Sequence, residues 1–413
     1  MTAVAPVLLP IVRVRAAAAV PMLIAPVFAS VPIPIEPPEE SIVTLPVACT
    51  SVVVTDDVVS VLQGRRVASR FREVEVELAP GAPDELLAPV LERLRLAGAG
   101  AVDNVPKLLR ALGPSAESPP DVVVSELAEQ ASVADVVRRA LAASVVRLFR
   151  HDAGVRLGDD PEDVHQARVA TRRLRSDLRT FRDVLEPDWA TPVREELGWL
   201  GGVLGAVRDA EVLRDRLRGR EALLPTDDRP VVEGLLVTLD RHRDEARVRL
   251  LAAMASRRYD ALLQTLVDAA NMPRLLEEVA DRPAAQTLRP ALEGPWKHLT
   301  GAIAQIRDDP RDEYLHAARI RAKRVRYAAE AVAPVFGKRA RAFAAAAVEL
   351  QDVLGEHQDA VVAGAWLREI GIGERAFVAG ELAALESQAA RAGRDAWPAA
   401  WKALSRKRLR FWT

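Results

Sequence analysis

The feature that most constrains the fold is an internal repeat. The stretch HQARVATRRLR, which begins at His165, recurs without a gap as HAARIRAKRVR, which begins at His316. A second motif, LGAVRDAEV from Leu204, recurs as LGEHQDAVV from Leu354, so the two motifs return 151 and 150 positions later. Because the spacing between the motifs is kept, both belong to one duplicated unit of about four helices.

The pattern is helical almost to the end of the chain, beyond the Pro/Ser/Glu segment GPSAESPPD. We therefore predict a mainly α fold, with a linker at residues 114–124 and a helical domain at residues 125–400. Its two repeats cover about residues 125–270 and 280–400, and a basic C-terminal tail follows at residues 401–413. The predicted helices are 132–150, 161–185, 189–218, 230–253, 284–306, 311–333, 339–369 and 374–392.

One face of the first repeat's basic helix carries a stripe of positive charge. At about 100° per residue, the positions three, seven, ten and fourteen after His165 lie within roughly 80° of it. These positions are Arg168, Arg172, Arg175 and Arg179. The second repeat keeps the stripe through His316, Arg319, Lys323 and Arg326, and Glu330 replaces the last arginine.

A basic helix face is usually solvated surface, but such a face normally carries acids one turn from its bases. Here Asp177 points about 120° away from the stripe. Close arginines repel one another unless an anion joins them, and the duplication keeps this arrangement twice, which predicts an anion-binding site. The formal net charge of the chain is only -1, so the basic function is local.

Residues 1–50 are rich in Pro, Ala and Val, and we expect a poorly ordered segment because prolines prevent a long helix. A secretory signal is the weaker alternative, since Arg13 and Arg15 lie far from the start and prolines interrupt the apolar run.

No stretch fits a transmembrane span, so we expect no membrane partner. The sole cysteine, Cys49, indicates a reducing compartment, and we predict a cytoplasmic location.

Residues 51–113 read as a small α+β region, in which a β-like alternation precedes two helical stretches. In the run REVEVEL, Glu73, Glu75 and Glu77 fall on one strand face and the aliphatic residues on the other. Three carboxylates on one face could hold Mg²⁺ or Mn²⁺ against a phosphate substrate. A half-buried strand with a solvated acidic face is the commoner meaning of this pattern.

The two copies of the repeat, HQARVATRRLRSDLRTF with LGAVRDAEVL and HAARIRAKRVRYAAE with LQDVLGEHQDAVV, resemble the halves of the CHAD domain, the conserved-histidine α-helical domain. The resemblance implies two pseudo-symmetric four-helix bundles whose basic helices line a shared groove that binds inorganic polyphosphate. The binding residues that it implies are His165, Arg168, Arg172, Arg173, Arg175, His316, Arg319, Lys323, Arg324 and Arg326.

Five further residues complete the predicted site. Arg179 belongs to the stripe, and Arg208 and His357 belong to the second motif, so we predict that they also bind polyphosphate. Asp209 and Asp359 follow Leu-Gly pairs and are candidates to orient arginines through charge-assisted bonds, with ordinary surface acids as the alternative.

The region upstream, from DDVVSVLQG to VPKLLRALG, resembles the C-terminal half of a CYTH, or triphosphate tunnel, domain. In that resemblance Arg70 and Lys107 also match binding positions. That family begins with a strand bearing an ExExK signature, and residues 1–50 contain nothing of that form. The resemblance therefore implies an incomplete CYTH-like region, with Mg²⁺ or Mn²⁺ as a cofactor only if the region is active.

Arginine forks suit phosphate oxygens, and a linear polyanion can bridge repeated basic stripes. Nucleic acid is a weaker partner, because the basic stretches offer few aromatic platforms for bases. Metal binding by the helical histidines is also weaker, because each basic motif has one histidine. We predict non-catalytic binding of polyphosphate, on polyphosphate granules where these form, with no catalytic residue, cofactor or metal in the helical domain. The alternatives are a metal-dependent triphosphatase or polyphosphatase of the tunnel type and a nucleic-acid-binding module.

Overall fold

The computed structural model describes residues 11–16, 52–63, 66–79, 82–103, 105–113, 119–307 and 310–413. The chain divides into two compact units, Met1–Pro119 and Pro120–Thr413. The division falls inside residues 114–124, the segment assigned to a linker from its composition. Among the described helices, none combines the length and the apolar character that crossing a bilayer requires.

The N-terminal unit contains a four-stranded antiparallel sheet with the strand order β2-β3-β1-β4. Its elements are β1 (Ile11–Ala16), β2 (Val52–Gln63), β3 (Arg66–Leu78), α1 (Leu87–Leu96), β4 (Ala99–Val102) and α2 (Lys107–Leu112). The long β2–β3 hairpin is rich in valine, a β-branched residue that strands favour, and Val74 and Val76 alternate with glutamates in β3.

Strand β1 departs from the expectation of a poorly ordered segment at residues 1–50. The backbone register places Arg13 opposite Glu75 and Arg15 opposite Glu73. The alternation in IVRVRA is a short strand signal, which the surrounding prolines obscure in the sequence. The other residues of this segment lie outside the described ones.

The C-terminal unit is helical. Its elements are α3 (Val133–Leu157), α4 (Pro161–Thr180), α5 (Pro187–Glu221), α6 (Arg229–Met254), α7 (Arg257–Asn271), the short α8 (Glu277–Ala280) and α9 (Ala284–Thr287), α10 (Glu293–Ala304), α11 (Asp312–Ile370) and α12 (Ala376–Leu404).

Local sequence signals set the ends of the helices that carry the repeat. Ser132 caps α3 in a capping box with Asp135, and Asp160 caps α4 just before a proline at the first helical position. Helix α11 covers two of the predicted helices, 311–333 and 339–369. These meet at Gly337, which has φ 61° and so interrupts the helical backbone.

Two hydrophobic cores join the two sequence repeats. The larger contains Leu174 and Leu200 from the first repeat and Val325 and Leu350 from the second. The smaller core is formed by α5, α6, α11 and α12, again from both repeats. Leu174 lies nine residues after His165, about 180° around α4, and it is buried, so α4 packs on the core with the face opposite the stripe.

Three parts of the helical unit differ from the sequence prediction. Helix α7 was missed, although Ser256 caps it and its apolar face is buried. The predicted helix 284–306 is divided into α9, a short 3₁₀ turn and α10, because a proline follows Arg289. In the segment predicted as a basic tail, Phe411 and Trp412 are buried in the larger core, since their rings pack with Trp296 and Phe343.

Candidate functional site

A cavity of about 430 Å³ lies between α4, α5 and α11, and we call it the basic cavity. The repeated motifs supply most of its lining from both halves of the chain. The predicted site residues that line it are His165, Arg168, Arg172, Arg208, Asp209, His316, Arg319, Lys323 and Asp359. The remaining lining residues are Val169, Val212, Leu213, Arg216, Gln358 and Val362.

The two repeated motifs meet in each half through an ion pair. Nη1 of Arg168 lies 2.7 Å from Oδ1 of Asp209, and Nη2 of Arg319 lies 3.4 Å from Oδ1 of Asp359. Each aspartate, a candidate to orient arginines, therefore contacts one arginine of the neighbouring stripe. Both pairs are partly exposed, so each contributes little to folding.

The glycine of each second motif lies beside the same arginine. A Cβ atom at Gly205 would lie 3.7 Å from the guanidinium of Arg168, and one at Gly355 would lie 3.7 Å from Nε of Arg319. At this distance a Cβ atom would be in ordinary van der Waals contact, so the arginine lies along the neighbouring helix close to its aspartate. The Leu-Gly-x-x-x-Asp spacing therefore provides both a surface and a partner for the arginine.

The two histidines of the cavity are held differently. Nδ1 of His316 lies 2.7 Å from Oε1 of Gln358, so Nδ1–H donates to the amide oxygen and leaves Nε2 for another partner. Burial lowers the pKa of His165, and the nearby positive charge of Arg208 lowers it further. His165 is therefore neutral near pH 7 and can offer one N–H donor to an anion.

Lys323 is the one lysine in the lining of the basic cavity. Burial, together with the positive charges of Arg319 and Arg172, lowers its pKa to about 8. Arg172 also lies over the ring of Tyr327, with its Cζ 5.7 Å from the ring centroid. The burial and the nearby positive charges therefore disfavour the ammonium form of Lys323, which loses its proton more easily than a lysine in water.

Buried donor atoms remain unsatisfied in this cavity. Within the part of the chain that the structure describes, Nε of Arg172, Arg208 and Arg319 is buried and has no hydrogen-bond partner. Leaving such donors unpaired costs free energy, so the folded protein holds these arginines around the cavity at a cost.

Four predicted binding residues do not line the basic cavity. Arg173 and Arg324 lie about 100° around their helices from Arg172 and Lys323, and Arg175 and Arg326 continue the stripes beyond the cavity lining. Arg173 pairs with Glu330, and Arg326 donates to the same carboxylate at 2.7 Å. The guanidinium of Arg175 lies beside Gly198, and Arg324 lies close to Arg179. Arg179, the fifth predicted residue outside the cavity lining, continues the stripe of α4 beyond it.

His357 is a sixth predicted residue outside the lining, and it is a buried packing residue. Its side chain is fully buried, and Nδ1–H donates to the carbonyl of Ala390 at 2.9 Å. Nε2 lies 3.1 Å from Oδ1 of Asp312. The histidine is one position before Gln358, and a step of one residue turns it by about 100° into the contact between α11 and α12.

Sequence reasoning missed Arg216 and Gln358. Gln358 stands in the second repeat where Arg208 stands in the first, so the alignment of the repeats could have found it. Arg216 follows Arg208 by two helical turns and pairs with Glu356 and the buried Glu386. Arg216 lies eight residues after Arg208, which places both on the same face of α5, and this spacing could have identified it.

In the N-terminal unit, Asp57, Glu73 and Glu75 bring carboxylate oxygens within 4.8 Å of one another, as a divalent cation would require. Nζ of Lys107 already lies among them, 3.0 Å from Glu75 and 3.5 Å from Glu73, and it also pairs with Asp57. The acids raise the pKa of Lys107 even though burial opposes this. The carboxylates suit Mg²⁺, but the ammonium competes for the same oxygens, so the arrangement fits a metal poorly.

The expected solvated acidic face of β3 is wrong at Glu73. This side chain is fully buried and accepts from Arg110 at 2.6 Å. Glu77, the third candidate, lies outside the close carboxylate group. The sequence alternation identified the shared face correctly but not the helix α2 residues that cover it.

Comparison with known proteins identifies the helical unit. The family model described as "CHAD domain" matches residues 139–368. Two proteins of Mycobacterium tuberculosis, MT2285 of strain CDC 1551 and Rv2226 of strain H37Rv, both named uncharacterized, are 35% identical over 357 residues. These matches cover 82% of this chain and 66% of each relative, so the chain spans about two thirds of the relatives' length.

Solved structures agree on the fold. The crystal structure of the CHAD domain from the plant Ricinus communis is similar with a TM-score of 0.55 and 26% identity, covering 70% of this chain and 96% of that one. PptA from Streptomyces chartreusis has a TM-score of 0.54 and 24% identity, covering 65% and 99%. With the family model matching more than half of its residues, this chain belongs to the CHAD domain family.

Proposed function

We propose that the basic cavity binds inorganic polyphosphate without catalysing a reaction. The observation that carries this proposal is the convergence of six cationic side chains on one cavity of about 430 Å³: Arg168, Arg172, Arg208, Arg216, Arg319 and Lys323. Planar guanidinium forks match phosphate oxygens, and several of them around one cavity favour a ligand with several phosphates.

The lining of the cavity favours phosphate chains over nucleic acid. Single-stranded nucleic acid is usually held by aromatic rings on which bases stack. Among the residues that line the basic cavity, none is phenylalanine, tyrosine or tryptophan. A polyanion without bases needs no such ring, and the guanidinium groups of the lining suit its phosphate oxygens.

Both repeats contribute to the same cavity, which refines the groove implied by the resemblance. Arg168 and Arg172 from α4 line it together with Arg319 and Lys323 from α11. A short phosphate chain therefore contacts both repeats at once. Such binding supports a location on polyphosphate granules, which imaging of a fluorescent fusion would test.

A second candidate function belongs to the N-terminal unit, which we propose is a CYTH-like remnant. The close carboxylates of Asp57, Glu73 and Glu75 favour metal-dependent triphosphatase activity there. The ammonium of Lys107 among them weighs against it. Phosphate release from triphosphate with Mg²⁺ or Mn²⁺ that is lost in Glu75→Gln would establish this activity.

The test of polyphosphate binding is calorimetry on the full chain with long-chain polyphosphate, triphosphate and single-stranded DNA at several salt concentrations. We expect polyphosphate to bind most tightly, with affinity falling log-linearly as salt rises, by analogy with counterion release from DNA. Arg168→Ala with Arg319→Ala should weaken binding at least tenfold, whereas the exposed Arg241→Ala should not. Equal binding of DNA and polyphosphate, or an unaffected double variant, would refute the proposal.

A further inference from the structure

Six arginines gather at the end of α4 that lies beyond the basic cavity. Helices α4 and α5 run antiparallel, because the guanidinium of Arg168 lies beside Gly205 and that of Arg175 lies beside Gly198, earlier in α5. One further turn in each direction brings Arg179 beside Arg194. Arg182 lies in the turn that follows α4, three residues after Arg179.

The second repeat adds two more positive charges to this place. Burial lowers the pKa of Arg179, and so do the charges of Arg194, Arg175, Arg182 and Arg321. Burial also lowers the pKa of Arg324, together with the charges of Arg179 and Arg321. We call Arg175, Arg179, Arg182, Arg194, Arg321 and Arg324 the arginine cluster.

The arginine cluster has almost no acidic partners. In the described part of the chain, Arg182 pairs with Asp183, and both of those side chains are mostly exposed. No ion pair with a carboxylate is found there for the other five arginines. Like charges held this close repel one another, so the electrostatic energy of the cluster is unfavourable unless an anion binds between the arginines.

The equivalent place in the other repeat shows how the chain neutralises such a group. Glu330 stands there in the position of Arg179. Its carboxylate accepts from Arg326, the equivalent of Arg175, and pairs with Arg173, the equivalent of Arg324. In the second repeat, Glu330 neutralises the equivalent arginines through ion pairs. In the first repeat, Arg179 stands in its place, and the arginines lack this carboxylate.

We infer that the arginine cluster is a second phosphate-binding site, which a polyphosphate chain held in the basic cavity reaches only when the chain is long. This inference rests on the proposed function. The stripe of α4 is continuous from the cavity to the cluster, because Arg172 and Arg175 are about 4.5 Å apart along the helix, and Arg168 and Arg179 at its two ends are about 16 Å apart, at about 1.5 Å per residue. Pyrophosphate and triphosphate are too short to span this distance, whereas a long chain gains the second contact as an intramolecular step.

The decisive variant is Arg179→Glu, which copies the residue of the other repeat. The new carboxylate has Arg175 one turn away and Arg324 nearby, as Glu330 has Arg326 and Arg173, so folding should be preserved. Affinity for long-chain polyphosphate should fall about tenfold or more, and affinity for triphosphate should stay within about twofold of wild type. The exposed Arg241→Glu, which changes the net charge equally, should alter neither by more than about twofold.

A second variant, Arg321→Gln with Arg324→Gln, removes two charges of the cluster without introducing an acid and should show the same selective loss. Calorimetry of the full chain with triphosphate and long-chain polyphosphate measures all four proteins. If long-chain affinity is unchanged in both cluster variants while wild type binds polyphosphate, the second site does not exist and the basic cavity stands alone. Equal losses for the short and the long chain would show that the cluster is no separate site. If wild type binds neither anion, the proposed function itself is wrong.

Discussion

Nη1 of Arg168 lies 2.7 Å from Oδ1 of Asp209, so each copy of the first motif is joined to a copy of the second by an arginine and an aspartate. The carboxylate of Asp209 is 71% exposed. Because an exposed ion pair is weak, Asp209 does little to fix the position of Arg168. We therefore expect its negative charge to act mainly by repelling a bound anion.

Asp209→Asn should therefore strengthen polyphosphate binding. A carboxylate within about 4 Å of a phosphate in water costs about 1 kcal/mol, or about a fivefold change in affinity, which the amide removes. The exposed Asp244→Asn is the control for net charge. Calorimetry distinguishes the two roles of Asp209, because weaker binding in Asp209→Asn would mean that the aspartate mainly orients Arg168.

Lys323 predicts a pH dependence of binding. Its pKa is lowered to about 8 in the free protein, and a bound anion stabilises the ammonium and raises the pKa again. Binding therefore takes up a proton above about pH 8, and affinity should fall by up to tenfold per pH unit until the raised pKa of the complex is passed.

The control for this pH dependence is Lys323→Arg, which keeps the charge but does not titrate in this range. Affinity measured from pH 7 to pH 10 should decline in wild type and remain nearly level in Lys323→Arg. Parallel declines in the two proteins would assign the titration to another group.

The sequence predicted the basic cavity well where the repeat and the helical period act together. The stripe positions nearest the two histidines, such as Arg168 and Lys323, line the cavity. The Leu-Gly-x-x-x-Asp motif identified Asp209, because the same spacing occurs in both repeats and each repeat forms the equivalent arginine–aspartate contact.

The sequence could not show which element covers each remaining face. Arg173 follows Arg172 by one residue and lies about 100° away, where Glu330 from the other repeat meets it. His357 belongs to the contact with α12, a helix far along the chain. Such assignments depend on tertiary packing, which the period of a single helix does not contain.

Asp177 predicts how stability depends on pH. Its side chain is fully buried, and burial raises its pKa to about 7, although Arg173 partly opposes this. The pKa in the folded state lies above the ordinary value, so the free energy of unfolding falls as the pH rises from about 4 toward 7, where a buried charge forms.

Asp177→Asn should remove this part of the pH dependence. Between pH 5 and pH 8 the variant should gain about 2 kcal/mol in free energy of unfolding relative to wild type, whatever the constant offset of the amide. Urea denaturation at several pH values measures the difference. The exposed Asp183→Asn should follow wild type, and an Asp177→Asn curve parallel to wild type would contradict a raised pKa.

Two glycines of α12 provide a matched pair for testing the packing beside His357. A Cβ atom at Gly393 would lie 2.8 Å from Cβ of His357, whereas no heavy atom lies within 4 Å of the corresponding position at Gly380. Alanine favours a helix over glycine by up to about 1 kcal/mol, and overpacking costs about 1–3 kcal/mol. Gly380→Ala should therefore raise the free energy of unfolding, and Gly393→Ala should lower it. Urea denaturation gives both values, and stabilisation by both substitutions would mean that α11 and α12 are not in close contact at His357.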